Sequence, residues 1–227
     1  MRSGLGALDA ALGGGFPRGV IATLEGTPGS GRSAVAARLL ATATANGGLG
    51  ALIETPAGSD GAFYPPALAA AGVDLGRLLI VHASGATDVA RAADILLRSA
   101  AFGVVIIPMV TLQATAWTRL GSLTHRANAV FVALGEAASN ELRYFVSLRV
   151  HVRATSVHFA GSEGLFCTLA GLGSEATVLK HKRAVPGKHA YFASTTFETG
   201  APLGSVQERA CIPAVHESRR TERPLAL

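Results

Sequence analysis

Gly26-Thr27-Pro28-Gly29-Ser30-Gly31-Arg32-Ser33 has the layout of a phosphate-binding loop with one exchange at its charged position. The pattern G-x-x-x-x-G-K-[S/T] works because a glycine-rich turn aims successive backbone N–H groups at phosphate oxygens. Its lysine reaches the β- and γ-phosphates, and its hydroxyl helps to hold Mg²⁺. Every element is present here except the lysine, which is replaced by Arg32. Arginine is bulkier and planar and acts poorly as a point charge in a tight loop, so the exchange is not conservative. Residues 20–25 (VIATLE) read as a buried strand entering the loop. Residues 33–46 (SAVAARLLATATAN) read as an alanine-rich helix stopped by Gly47 and Gly48. Strand, glycine loop and helix together are the setting the motif requires. The eight residues from Gly26 to Ser33 form the candidate nucleotide-binding set.

The same alternation continues along the chain. Short apolar strands are expected at 51–54, 78–81, 103–107 and 129–134, and the unbroken run at 103–107 reads as a central strand. Between them lie helices at 65–71, opened by proline and closed by Gly72, at 86–100 and at 117–125. The helix at 86–100 is amphipathic, with Ala90, Ala93 and Leu97 on one stripe. This order predicts an α/β fold with a central, mostly parallel sheet flanked by helices. Residues 144–152, 163–169 and 176–182 alternate in the manner of antiparallel strands toward the C-terminus. With no internal repeat and no long linker, the expectation is one core domain over residues 1–200 and a flexible tail over 201–227.

Composition narrows the class. The chain has 227 residues, 49% of them hydrophobic and 15% charged, enough to bury a large core and too apolar for a disordered protein. The first fifteen residues do not resemble a signal peptide, and the longest apolar run, 102–112, is too short to span a bilayer. Cys167 and Cys211 stand alone without ligand spacing. A cytoplasmic protein is the expectation. The net charge of +5 sits in the second half: residues 1–113 carry seven Arg against seven acids, whereas residues 114–227 carry thirteen Lys or Arg against eight. Lys180, Lys182 and Lys188 cluster there, as a patch for nucleic acid or an acidic protein face, or simply a solvated face.

Three separated stretches carry a family resemblance. Residues 3–19 (SGLGALDAALGGGFPRG) resemble the start of the RecA recombinase core, leading straight into the phosphate loop as they do here. Residues 140–150 (NELRYFVSLRV) are similar to the strand after RecA's second DNA-binding loop. Residues 175–186 (EATVLKHKRAVP) resemble a later strand whose paired lysines reach a neighbouring subunit's ATP across a filament interface. The resemblance covers roughly residues 3–200. It implies a RecA-like P-loop fold and makes Lys180 and Lys182 candidate interface residues.

The departures from that pattern are as informative. RecA-type ATPases end the central strand with an aspartate that orders Mg²⁺ through water, and here the matching position is Pro108. Their water-activating glutamate follows the second strand, and here the aligned position is Pro56. Neither proline can hold a metal or accept a proton. Glu54 is a candidate displaced base, with a carboxylate capping the sheet as the ordinary alternative. Leu134 stands where RecA has a glutamine that senses the γ-phosphate. The two segments matching RecA's DNA-binding loops are short, and 135–143 offers no aromatic platform for bases. The expectation is a pseudo-ATPase with no catalytic residues, no required cofactor, and weak binding of ATP and Mg²⁺ at most.

In that character the chain is similar to the ImuA branch of RecA-like proteins. That resemblance implies a non-hydrolysing scaffold in the DNA damage response, acting in SOS mutagenesis and translesion synthesis. Its implied partners are RecA, ImuB and an error-prone DnaE-type polymerase, with direct DNA binding weak or absent. Two alternatives stay open: a weak nucleotide-binding RecA-type ATPase or recombinase, and a regulatory RecA paralogue with another partner. The remaining polar residues point to no metal site, since the histidines are scattered without ligand spacing. Trp117 reads as core. The tail carries Arg209, Arg219, Arg220 and Arg223 among prolines, so Arg219 and Arg220 are further candidate interface residues.

Overall fold

Apolar residues on both sides of a strand require cover on both faces, and the fourth strand shows how this chain provides it. In Phe102–Pro108, Val104 and Ile106 face one hydrophobic cluster while Val105 and Ile107 face the other. A computed structural model describes residues 1–45, 47–55, 63–160 and 168–195. In it the elements run α1 (Gly6–Ala11), β1 (Val20–Glu25), α2 (Arg32–Ala45), β2 (Leu49–Glu54), α3 (Pro65–Ala70), β3 (Leu78–His82), α4 (Ala86–Ser99) and β4 (Phe102–Pro108). They continue with α5 (Ala114–Ala127), β5 (Val130–Gly135), α6 (Asn140–Phe145), β6 (Leu148–Ala160), β7 (Thr168–His181) and β8 (His189–Thr195).

The strands form one eight-stranded sheet in the order β3-β2-β4-β5-β1-β6-β7-β8. The pairings from β3 through to β6 are parallel, and β7 and β8 add on antiparallel. Helices α1, α2 and α3 cover one face and α4, α5 and α6 the other, giving a three-layer α/β sandwich. The expected fold class is the observed one.

Two local expectations need correction. Residues 144–152 do not begin as a strand. Ser139 caps a short helix by accepting the Leu142 N–H at 3.2 Å, Leu142 is buried, and the strand starts only at Leu148. The capping serine outweighs the alternation that Tyr144 and Val146 suggest. Strand β6 is also not antiparallel on both sides, because it pairs parallel to β1 before turning back through β7. The helix expected at 117–125 begins three residues earlier, at Ala114. Most of the strand expected at 163–169 and the whole tail from 201 lie outside the described residues, and so do Pro56, Arg219 and Arg220. No helix among the described residues is long and apolar enough to cross a membrane.

Candidate functional site

Parallel strands carry their C-terminal ends to one edge of the sheet, where ligands of open α/β folds bind. Here that edge collects Glu25 at the end of β1 and Gly26 just after it, Glu54 at the end of β2, Pro108 at the end of β4 and Gly135 at the end of β5. In register, Pro108 lies beside Leu134 and Gly135 beside Glu25, so β5 bridges the phosphate loop and the central strand. The Met109 N–H donates to the Leu134 carbonyl at 2.8 Å and closes the end of that pair. The segment from β4 to α5 is only 109–113, too brief for a large loop of its own.

The phosphate loop leads from β1 into the 14-residue helix α2. Gly26 has φ 151° and Gly31 φ 96°, backbone conformations that side chains resist. Space as well as backbone demands glycine at these two positions. A Cβ on Gly26 would collide with the Val152 carbonyl, and one on Gly31 with the Ser174 hydroxyl. The loop is thus seated on β6 and β7. The Gly26 N–H donates to the carbonyls of Gly135 and Glu136 at 3.2 and 3.1 Å, which ties the start of the loop to the end of β5. Thr27, Pro28, Gly29 and Ser33 are exposed, and Ser30 is buried with its N–H on the Thr27 carbonyl at 3.1 Å. Arg32 lies in the first turn of α2 and is 3% exposed, so the residue in the lysine position is packed inside the fold.

A buried ion pair supports this loop from behind. Glu25 takes Arg149 in a bidentate contact, Nε to Oε1 at 2.7 Å and Nη2 to Oε2 at 2.8 Å. It also accepts from the Thr23 hydroxyl at 2.8 Å and the Ala138 N–H at 3.4 Å. Burial opposes ionisation of Glu25, but the Arg149 hydrogen bonds, Thr23 and Ala138 outweigh it and hold the carboxyl below its ordinary range. Sequence reading missed this pair. The signal was a lone carboxylate ending an apolar strand, a group that must find a partner when buried.

Glu54 is also engaged, accepting the Phe63 N–H at 2.6 Å, with His82 Nδ1 at 3.6 Å from its other oxygen. That is a structural tie to the segment leading into α3. Lys180 sits near the C-terminal end of β7 in register with Arg149, and Lys182 just past that strand donates its N–H to the Ser147 carbonyl at 3.0 Å. Lys180 donates to the Arg143 carbonyl at 2.8 Å, and burial together with the charges of Lys182 and Arg149 lowers its pKa. Lys182 is exposed. Further along β7, Glu175 is buried and gathers Arg153, His189 and Tyr191 at 2.6, 2.9 and 2.9 Å. Nothing in the sequence brought those four together, since they come from three strands. Among the described residues no group of three or more His, Cys, Asp or Glu side chains comes together as a metal cluster would require.

The fold agrees with comparisons to known proteins. Residues 1–121 match the RecA N-terminal domain. The chain is 27% identical to Protein RecA of Picosynechococcus sp. over an alignment covering 84% of this chain and 63% of that protein. A stretch covering 48% of the chain is 38% identical to 29% of Protein RecA from Nostoc punctiforme. The chain therefore spans less than two thirds of the length of these relatives. The crystal structure of the RadB recombinase shares the fold, with a TM-score of 0.64 at 18% identity over 84% of this chain and 94% of that one. Matched over more than half its length by the RecA N-terminal domain, and built on the sheet described above, this chain belongs to the RecA family.

Proposed function

We propose that this RecA-family chain is a non-hydrolysing accessory protein of the DNA damage response, a scaffold for protein partners in translesion synthesis. One observation carries the reading: Pro108, not a carboxylate, ends β4 at the edge where the phosphate loop opens. Phosphoryl transfer in P-loop enzymes depends on a carboxylate that orders Mg²⁺ and on a compact cation at the β- and γ-phosphates. Pro108 offers no side-chain carboxylate to a hydrated metal, and Arg32 is packed into the fold. By family resemblance the partners are RecA, ImuB and an error-prone DnaE-type polymerase.

A second reading is residual nucleotide binding without turnover. The exposed backbone of Thr27, Pro28 and Gly29 at the N-terminal end of α2 favours it, because helix N-termini attract phosphate without any lysine. Isothermal titration with ATP and Mg²⁺, paired with phosphate release on single-stranded DNA, tests both readings. Absence of phosphate release supports the accessory role, and measurable heat of binding in the same samples supports residual binding. DNA-stimulated turnover that disappears in Arg32→Ala would overturn the proposal.

A further inference from the structure

The face of the sheet away from the phosphate loop helix is covered by α4 and α5, and a groove runs between these two helices. One part, about 400 Å³, has an apolar floor of Ala90, Ala116 and Leu120. It continues past Arg119 into a second hollow of about 670 Å³ edged by Arg98, Ser122 and Arg126. Ile95 is 68% exposed on this rim, a large aliphatic side chain left in water beside a concave apolar floor.

The charge around the groove is one-sided. Asp94 is bound by Arg98 at 2.8 Å and by Arg119 at 2.6 Å, so one carboxylate serves two guanidinium groups. Among the described residues Arg91 is matched only by Asp88, at 3.8 Å on the exposed surface. Arg126 forms no salt bridge among the described residues. Four arginines against two aspartates leave two positive charges beside an apolar cleft. Arg119 and Arg126 are seven residues apart on α5, about 10.5 Å along the axis at the usual helical rise. Two turns of a docked helix span the same distance.

We infer that the α4–α5 groove is a docking site for an acidic, amphipathic peptide segment of a partner protein, with one aliphatic or aromatic residue seated on the Ala90–Leu120 floor and carboxylates meeting Arg98, Arg119 and Arg126. An apolar floor favours a protein segment over nucleic acid, which would present phosphates and need stacking platforms, and no aromatic residue lines either hollow. The chain's own residues 196–227 lack the charge to fill the groove, since their four acids are offset by four arginines. Phosphate-loop chemistry plays no part in the site, so the assignment holds whatever the loop does with ATP.

The test uses the full chain and a fluorescein-labelled peptide with one leucine flanked by glutamates, read by fluorescence anisotropy. Its controls are the same peptide with glutamine for glutamate and a labelled single-stranded oligonucleotide. Binding of the glutamate peptide should weaken with added salt. It should fall roughly tenfold in Arg126→Gln and in Ile95→Gln, both exposed changes that keep Arg98 and Arg119 on Asp94 and leave the melting temperature unchanged. Three results would overturn the assignment: no binding of the glutamate peptide, equal binding of the glutamine peptide, or displacement of the peptide by the oligonucleotide with both variants binding normally.

Discussion

Glu25, the last residue of β1, and Arg149, near the start of β6, close a bidentate ion pair directly behind the phosphate loop. The two are 124 positions apart in the chain, and their contact joins the parallel part of the sheet to the strand that begins the antiparallel extension. The end of the strand that enters the loop is therefore held by a charge pair as well as by apolar packing.

Breaking that pair from one side should destabilise the fold strongly. Arg149→Ala leaves Glu25 buried without its main partner, and such losses run to about 3–5 kcal/mol. Urea unfolding should show the drop, and the double change Glu25→Gln with Arg149→Met should recover part of it. The pH dependence follows from the lowered carboxyl of Glu25. Its contribution is complete above the ordinary value near 4.5 and disappears as pH falls through the lower folded value. Glu25→Gln should flatten the loss of stability in that acid window, and an unchanged slope would count against the pair.

Gly31→Ala should be costly for two separable reasons. The φ of 96° strains any side chain, by about 1–3 kcal/mol, and the added Cβ meets the Ser174 hydroxyl. Adding Ser174→Ala to Gly31→Ala should restore part of the stability, because it removes the colliding oxygen and leaves the backbone strain. Thermal denaturation of the two variants measures the split.

Trp117 is fully buried and is the chain's single tryptophan. Its fluorescence should be blue-shifted in the native protein and move red in one step on unfolding. Its indole N–H has no hydrogen-bond partner among the described residues, so Trp117→Phe should lose packing volume but no hydrogen bond and cost less than Trp117→Ala. Trp117→Ala should cost about 3–5 kcal/mol by opening a cavity.

Under the proposed function, Arg32→Lys alone should not restore ATP hydrolysis, because Pro108 still supplies no carboxylate for the metal. Phosphate release from the single variant and from Arg32→Lys with Pro108→Asp checks this. Turnover in the single variant would show that the missing lysine alone silences the site.

Much of the fold was legible in the sequence where neighbouring residues decide structure. The strand–loop–helix at 20–46 could be read because glycine spacing and apolar runs are local signals. The strand at 103–107 revealed its central place by being apolar on both faces. The helix α6 was missed because its strand-like alternation was more visible than the single capping hydrogen bond from Leu142 to Ser139. Of the candidate site, the glycine-rich turn between a strand and a helix was readable, and so was Pro108 at the end of the central strand.

The sequence by itself determined the α/β class and the place of the glycine-rich turn between a strand and a helix, with Arg32 opening that helix, since each is written in contiguous residues. Only the tertiary structure decided what the loop rests on and what lies beside what. Val152 and Ser174 enforce glycine at positions 26 and 31, Arg149 neutralises Glu25, and Arg98, Arg119 and Arg126 share one groove. Those relations depend on strand register and helix packing, which bring distant side chains within a few ångströms and leave no periodic trace along the chain.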